Sequence, residues 1–420
     1  MLLDRTTPPL VHAVADISLP NVLSETINGI KTHTHLEKGS GTFKIELLTN
    51  GSQLYSNTSA LSQLAIRMLN EGSQSKSSAH LAEAVDSIGS FLEVSPGFDH
   101  ATISIYGLAK YFEENLQILS ELIYQPLFSD KSLENLKNKE IDKLKTNLEK
   151  GSYISSINLR KNLFGTNHAY GRFLTEQEIQ SVTSKEINNF HGSNTLNFQI
   201  YSAGDLPKDY ESLLAKYFLP FNERNGSLVQ ISAPTTQPEN SAYKNPKFVQ
   251  SSIKFGKRLF NRSHPNYYNF ILMNELLGGF FGSRLMKNIR EDKGFTYGIH
   301  SNLYSLLHDG YFLIGTDVNK ENEQETIDEV IKEIKLLQSE LVQQEELDTV
   351  KNYMIGVFVN SFSSPFAGID KFKTLNSQGI NKAFYGQYVS SIKAISAENL
   401  RETANQYLQT DSLSLSIAGA

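Results

Sequence analysis

The order of the predicted secondary-structure elements repeats along this chain of 420 residues. In each half, the hydrophobic pattern predicts two helices, then two strands, then an amphipathic helix. In the first half these elements are Ser59–Asn70, Ala79–Ile88, Ser90–Ser95, Ala101–Leu108 and Phe112–Tyr124. In the second half they are Tyr267–Leu277, Ser283–Arg290, Thr296–Leu303, Gly310–Asp317, and a long helix with Ile327, Val330, Ile331, Ile334, Leu337 and Leu341 on one stripe. A repeat of this kind indicates a duplicated α+β unit, and a chance similarity between two α+β domains is the alternative.

The division between the halves is marked by composition. Between Asn222 and Asn245, Gly, Pro, Asn and Ser dominate and apolar periodicity is weak, as is typical of a linker. We therefore predict two homologous domains, 1–228 and 246–420, joined by a linker over 229–245. Each domain is expected to be a mostly antiparallel sheet with helices packed on one face.

Composition excludes several classes of function. The net charge of −6 argues against nucleic acid as a partner, because such a partner favours a basic surface. The absence of cysteine excludes disulfides and thiolate zinc sites. The first ten residues lack the basic and apolar regions of a signal peptide, and no apolar run is long enough to span a membrane. The expectation is a protein of the cytoplasm, or of the periplasm if a signal segment had been removed.

No motif for a stand-alone reaction is present. The chain has no phosphate-binding glycine loop and no Gly-x-Ser-x-Gly elbow, and the glycine-rich run Gly278–Arg284 is expected to be a flexible turn between two helices. A helical zinc site needs two histidines four residues apart, and none of the ten histidines is so spaced. His33 and His35 share one face of a predicted strand, which we expect to be solvated. The chain's own ligands therefore predict no metal site.

A series of short segments, in order over nearly the whole chain, resembles the insulinase and mitochondrial-processing-peptidase family of zinc peptidases. The segments are Asn28–Lys31, Asn167–Arg172, Glu178–Thr183, Phe198–Asp205, Gly278–Gly279, Ser283–Leu285, Ile289–Glu291, Gly294, Tyr297 and Tyr388–Ser396. Each segment is weak alone, and their order carries the resemblance. The duplicated α+β architecture is also what this family's fold implies.

The resemblance implies a zinc motif that this chain has lost. Active members carry His-x-x-Glu-His on a helix of the first half and a distal Glu, which together supply three zinc ligands and the general base. Gln63 and Arg67 stand at the two His positions and Ile66 at the base position. Asn147 stands at the position of the distal Glu, give or take a few residues. Because a guanidinium stays protonated and repels a divalent cation, no metal or other cofactor is expected on this chain.

The second half retains a different part of the family's site. An Arg and a Tyr seven residues apart reach the substrate carbonyl in active members, and Arg290 and Tyr297 have this spacing. Gly294 is consistent with a helix stop between them, placing Arg290 on the last helical turn and Tyr297 on the following strand. From the residues alone, the better interpretation is that Arg290 is a solvated helix end and Tyr297 a strand residue with a satisfied hydroxyl. The resemblance implies that both are catalytic, donating hydrogen bonds to a developing oxyanion.

Together these features resemble bacterial members whose active site is divided between two chains. The implied function is that of the zinc-free subunit of a heterodimeric metallopeptidase, with a zinc-motif homologue as partner, zinc in that partner, and a peptide as substrate. A non-catalytic scaffold or peptide-binding homologue is the alternative. An active stand-alone zinc peptidase is the least supported of the three.

Overall fold

A computed structural model describes residues 19–220 and 238–419. The first half begins with strands β1–β3, at Leu23–Ile27, Ile30–Leu36 and Thr42–Thr49, followed by helices α1 (Ser59–Arg67) and α2 (Ser78–Ser87). Strands β4 (Phe91–Ser95) and β5 (Ala101–Leu108) precede helices α3–α7, which span Phe112–Tyr124, Asp130–Leu148, Gly151–Phe164, Glu176–Ser181 and Ser184–Phe190. Strand β6 (Phe198–Gly204) and helix α8 (Tyr210–Tyr217) complete this half.

The second half follows the same plan. Strands β7 (Ser241–Lys244) and β8 (Gln250–Leu259) precede helix α9 (Tyr267–Asn274), which continues as a π-helical segment over Glu275–Gly279. A second π-helical segment, Met286–Asp292, leads to strands β9 (Ile299–Ser305) and β10 (Gly310–Asn319). Helices α10–α15 span Glu323–Ser339, Gln344–Asn360, Pro365–Asn376, Ala383–Gly386, Tyr388–Ala394 and Ala397–Tyr407, and strand β11 is Ser414–Gly419.

The two sheets have matching topologies. Their strand orders are β1-β2-β6-β3-β5-β4 and β7-β11-β8-β10-β9. In each, the strand that ends the half pairs in parallel with an early strand, β6 with β2 and β11 with β7, while the other described pairings are antiparallel. The predicted α+β fold with two mostly antiparallel sheets is confirmed.

Each sheet packs one face on helices of its own half. In the first half, alternate residues of β3 such as Phe43 and Ile45 are fully buried in a cluster that includes Leu116 and Leu119 of α3. In the second half, Phe312 of β10 lies in the corresponding cluster. Burial of such aliphatic and aromatic side chains contributes about 1.5–3 kcal/mol each, so these clusters are the main stabilising element of each half.

The opposite face of each sheet is covered by a helix from the other half, which the sequence did not predict. Helix α12 lies on the first sheet, where Ile369 packs with Leu48 of β3. Helix α5 lies on the second sheet, where a side chain at Gly256 would place its Cβ within 2.8 Å of the Leu159 side chain. The halves are thus interlocked, and separating them would expose an apolar face of both sheets.

A buried charge cluster fixes α12 on the first sheet. The ammonium of Lys44 lies 2.9 Å from a carboxylate oxygen of Glu46 and 2.7 Å from one of Asp370. The ammonium of Lys373 lies 2.5 Å from the other oxygen of Glu46. Burial alone would lower the pKa of Lys44, but Glu46 and Asp370 raise it above its ordinary value. Both charges on β3 are therefore matched by residues of the other half.

Several sequence-based predictions need correction. The strand predicted from Thr296 begins at Ile299, and Leu341 lies beyond the end of α10. Part of the predicted linker 229–245 is strand β7, because its backbone pairs with β11, while residues 229–237 and the first ten residues lie outside the described ranges.

His33 is buried against Tyr201, so the solvated face predicted for it is wrong. No helix in the described ranges has the length and hydropathy needed to span a membrane.

Candidate functional site

The residues at the degenerate zinc-motif positions meet in a cavity of the first half. Helix α1 begins at a cap in which the side chain of Thr58 accepts a hydrogen bond from the Leu61 amide, and it directs Gln63 and Arg67 toward α4. Asn147, near the end of α4, lines the same cavity of about 220 Å³. The structure therefore brings three of the four positions together, although they come from segments about 80 residues apart.

An ion pair occupies this cavity. A guanidinium nitrogen of Arg67 donates to a carboxylate oxygen of Glu140 at 2.5 Å, and the Glu140 side chain is only 10% exposed. The other two motif positions that line the cavity, Gln63 and Asn147, carry amides, which are poor zinc ligands. Within the described ranges, no group of three or more His, Cys, Asp or Glu side chains is placed to hold a metal ion. The guanidinium of Arg67 lies in the cavity and is paired with Glu140, the carboxylate that lines it. These residues therefore do not fit zinc.

Ile66, at the position of the general base, belongs to the core instead. Its side chain is fully buried, and its Cδ1 would lie 2.8 Å from a Cβ placed on Gly51. It does not line the cavity. An aliphatic group in this place packs against the strand ends and offers no proton-transfer chemistry.

Sequence reasoning missed three other residues of this cavity. Glu140 comes from α4, and Arg160 and Arg172 come from α5 and the segment after it. No local pattern pairs Glu140 with Arg67, since 73 positions separate them. Arg172 stands within one of the family-like segments, whereas nothing in the sequence distinguishes Arg160.

The Arg290–Tyr297 pair lies in the second half, at the end of the π-helical segment Met286–Asp292. Arg290 lies on the last helical turn, as predicted. Gly294 has a φ of +67°, which favours glycine and ends the helix, and the Phe295 amide donates to the carbonyl of Ile289 at 3.0 Å. Tyr297 then lies two residues before β9, so its predicted place on the strand is wrong. As a consequence its side chain is free of sheet neighbours and 93% exposed.

Arg290 holds its place by stacking. Its guanidinium carbon lies 4.5 Å from the ring centre of Phe281 and 5.5 Å from that of Tyr297. Such cation–π contacts contribute about 0.5–1 kcal/mol at exposed sites. Among the described residues Arg290 forms no ion pair, so its N–H groups remain available as donors. A phenol and a guanidinium thus stand side by side at the surface.

Tyr297 and Phe281, the two rings beside Arg290, line a cleft of about 660 Å³. The cleft is also lined by Lys254 of β8, His300 of β9 and Asp317 of β10. Burial lowers the pKa of Lys254, with Asp317 acting in the opposite direction. Burial also lowers the pKa of His300, and the charge of Lys254 adds to this effect. The cleft therefore combines the exposed phenol of Tyr297 with a buried ammonium, that of Lys254, and the ionisable side chains of His300 and Asp317.

The cavity and the cleft share no lining residue. The three motif positions that line the cavity lie in the first half, and the Arg290–Tyr297 pair lies in the second. The residues around the motif positions do not fit zinc, whereas both groups of the pair can donate hydrogen bonds.

Comparisons with known proteins give a consistent result. Residues 55–169 match the family model described as insulinase (peptidase family M16), and residues 181–354 match the model described as the peptidase M16 inactive domain. The chain is similar to an uncharacterized zinc protease YmxG of Bacillus subtilis strain 168, at 23% identity over 84% of this chain and 86% of the relative. It is also similar to the non-peptidase homolog YmxG of Helicobacter pylori strain 26695, at 24% identity over 73% of this chain and 72% of the relative.

A solved structure supports the fold. A peptidase M16 inactive domain from Pseudomonas fluorescens superposes with a TM-score of 0.86 and 23% identity, covering 95% of this chain and 98% of that chain. The similarity extends over both halves, so the interlocked two-sheet architecture is shared along its whole length.

Proposed function

Because this chain belongs to the M16, or insulinase, family of peptidases, we propose that it is the zinc-free subunit of a heterodimeric metallopeptidase. It would bind peptide in its cleft and donate hydrogen bonds to the scissile carbonyl. A zinc-motif homologue would supply the metal and the general base. The observation that carries this proposal is the contrast between Arg67, which is paired with Glu140, and Tyr297, which is presented to solvent.

The role proposed for Arg290 and Tyr297 follows from what they can donate. During hydrolysis of a peptide bond, negative charge develops on the carbonyl oxygen, and donors fixed beforehand stabilise that charge. The two donors lie side by side, with 5.5 Å between the guanidinium carbon of Arg290 and the ring centre of Tyr297. Neither group can activate water, so the pair requires a second component that does. An exposed pair is consistent with a site that is complete only when a second chain binds.

The test is reconstitution with a zinc-motif homologue followed by peptide cleavage. We expect Tyr297→Phe to reduce kcat of the complex by about 100-fold or more with little change in KM, because the lost donor acts in the transition state. Tyr304→Phe is the matched control, since Tyr304 lies on β9 outside the cleft and is 41% exposed. Equal activity of the Tyr297→Phe complex and the wild-type complex would reject the assigned role.

A second candidate is a non-catalytic scaffold or peptide-binding protein. The H. pylori relative is named a non-peptidase homolog, which favours this candidate. In this case Arg290 and Tyr297 are remnants, and the chain binds peptides or assembles without any zinc-bearing partner. A complex that forms with the homologue but cleaves no faster than the homologue alone would support this candidate over the first.

A further inference from the structure

The cavity around Arg67 contains more positive charge than its carboxylate balances. Four cationic side chains line it, from Arg67, Lys143, Arg160 and Arg172, against the single carboxylate of Glu140. Glu178 acts electrostatically on Arg172 but does not line the cavity. Even with Glu178 counted, the cavity keeps an excess of positive charge, and Glu140 is already bound to Arg67.

Arg160 has no charged partner among the described residues. Its guanidinium carbon lies 4.9 Å from the ring centre of Phe98, and among the described residues it forms no ion pair and no side-chain hydrogen bond. Burial lowers the pKa of this guanidinium, although such a group remains protonated at any physiological pH. The Arg160 side chain is partly withdrawn from water and has no counter-ion among the described residues, so this site gains from binding an anion.

The other two arginines also have unused donors. Arg172 is only 8% exposed, and its one described side-chain hydrogen bond is from a terminal nitrogen to the carbonyl of Gln53, at 3.0 Å. The Nε atoms of Arg172 and Arg67 are buried and have no acceptor within the described ranges. Buried polar groups in native proteins are nearly all paired, so unpaired donors around one cavity need an explanation.

We propose that this cavity binds a carboxylate group of a peptide. The planar fork of a guanidinium matches the two oxygens of a carboxylate and binds it in a bidentate way. Apolar side chains complete the wall, from Phe98, Tyr153, Phe173 and Leu174. At about 220 Å³ the cavity is smaller than a site for a drug-sized ligand, so it suits one residue of a peptide. The carboxylate comes from either the peptide C terminus or an acidic side chain.

This site does not depend on the proposed zinc-bearing partner. All its lining residues belong to the first half, between Gln53 and Leu174, and none borders the Arg290–Tyr297 cleft. Replacement of a metal ligand by Arg67 would have changed a cation site into an anion site. The prediction concerns the full chain alone, so its failure and failure of the heterodimer proposal are separate results.

The experiment measures fluorescence anisotropy of labelled hexapeptides of alanine and leucine with the full chain. One peptide has a free C terminus, one has an amidated C terminus and a single glutamate, and one is amidated without an acidic residue. We expect one of the first two to bind at least about tenfold more tightly than the third, as hydrogen bonds between charged groups predict. Which of the two binds identifies the source of the carboxylate. Equal binding of all three, or none, would overturn the proposal.

Variants assign the binding to this cavity. Arg160→Met is expected to weaken the preferred peptide about tenfold and Arg160→Lys by less, while Arg401→Met on α15 leaves it unchanged. Glu140→Gln is expected to strengthen it, because the change frees Arg67 from its carboxylate. A merely structural role of Glu140 would weaken binding instead. Unchanged affinity in Arg160→Met, with a native circular-dichroism spectrum, would contradict the assignment.

Discussion

The two halves of the chain share a topology, and yet their sites have opposite characters. In the first half, Arg67 and Glu140 neutralise each other inside a cavity. In the second half, Tyr297 is 93% exposed and Arg290 has no carboxylate partner among the described residues. The same fold therefore carries an internally paired cluster at the metal-motif positions of the first half and a solvent-exposed pair of hydrogen-bond donors in the second half. The contrast shows that the chemical character of each site depends on a few side chains, since the architecture around both sites is the same.

Restoring the metal ligands in the cavity of the first half should have the largest effect on the difference between the two sites. Gln63→His, Arg67→His and Asn147→Glu together place two imidazoles and a carboxylate in one cavity, since all three positions line it. We expect this triple variant to bind zinc with a Kd below about 1 μM, or about 8 kcal/mol, when titrated against a fluorescent zinc chelator.

The matched control carries alanine at the same three positions and is expected to bind no zinc. If the histidine–glutamate variant folds and also fails to bind, the three positions do not have the geometry of a ligand set. The loss of metal binding would then involve the backbone as well as the side chains.

A buried carboxylate of the first half, that of Glu46, is paired with cations, and a buried carboxylate of the second half is not. Substituting Glu46 tests the paired carboxylate. It is 3% exposed and lies between Lys44 and Lys373. Glu46→Ala leaves Lys44 buried with only Asp370, at the rim of the cluster, and we expect a loss of about 3–5 kcal/mol in unfolding free energy. Urea denaturation measures this, with exposed Glu37→Ala expected to change stability by about 0.5 kcal/mol or less. A similarly small effect for Glu46 would show that the cluster does not hold the halves together.

Glu275 is the carboxylate without a cationic partner, and substituting it is expected to change the unfolding free energy by less. Burial raises its pKa to about 7, and among the described residues it forms no ion pair. The native state therefore keeps a proton that the unfolded state releases, so the unfolding free energy falls as pH rises from about 4.5 to 7, by up to about 3 kcal/mol. Glu275→Gln should remove this part of the pH dependence. Parallel curves for wild type and variant across that range would show that Glu275 is not desolvated.

The sequence predicted well those features that depend on local pattern. The strand Ala101–Leu108 and the helix Phe112–Tyr124 have the predicted bounds, because alternation and helical spacing are continuous there. The position of Arg290 on a final helical turn and the helix stop at Gly294 also follow from local chemistry. The repeat of element order anticipated the matching topologies of the two sheets.

Features that depend on distant parts of the chain were beyond prediction. Nothing in the local sequence of α5 or α12 indicates that each covers the sheet of the other half. The sequence of β7 is short and polar, as in a linker, and β7 is a strand because its backbone pairs with β11. The strand pattern around Tyr297 does not indicate where sheet pairing begins, because β-propensity depends on neighbouring strands. The pairing of Arg67 with Glu140 joins two helices and has no local signal.

Zinc analysis of the purified full chain, with peptide cleavage measured on the same sample, is the most direct test of the proposal that this chain contributes donors but no metal. We expect far less than one zinc per chain and no cleavage by the chain alone, because the guanidinium of Arg67 occupies the metal-motif cavity. About one zinc per chain, removed by a chelator together with a cleavage activity, would contradict it.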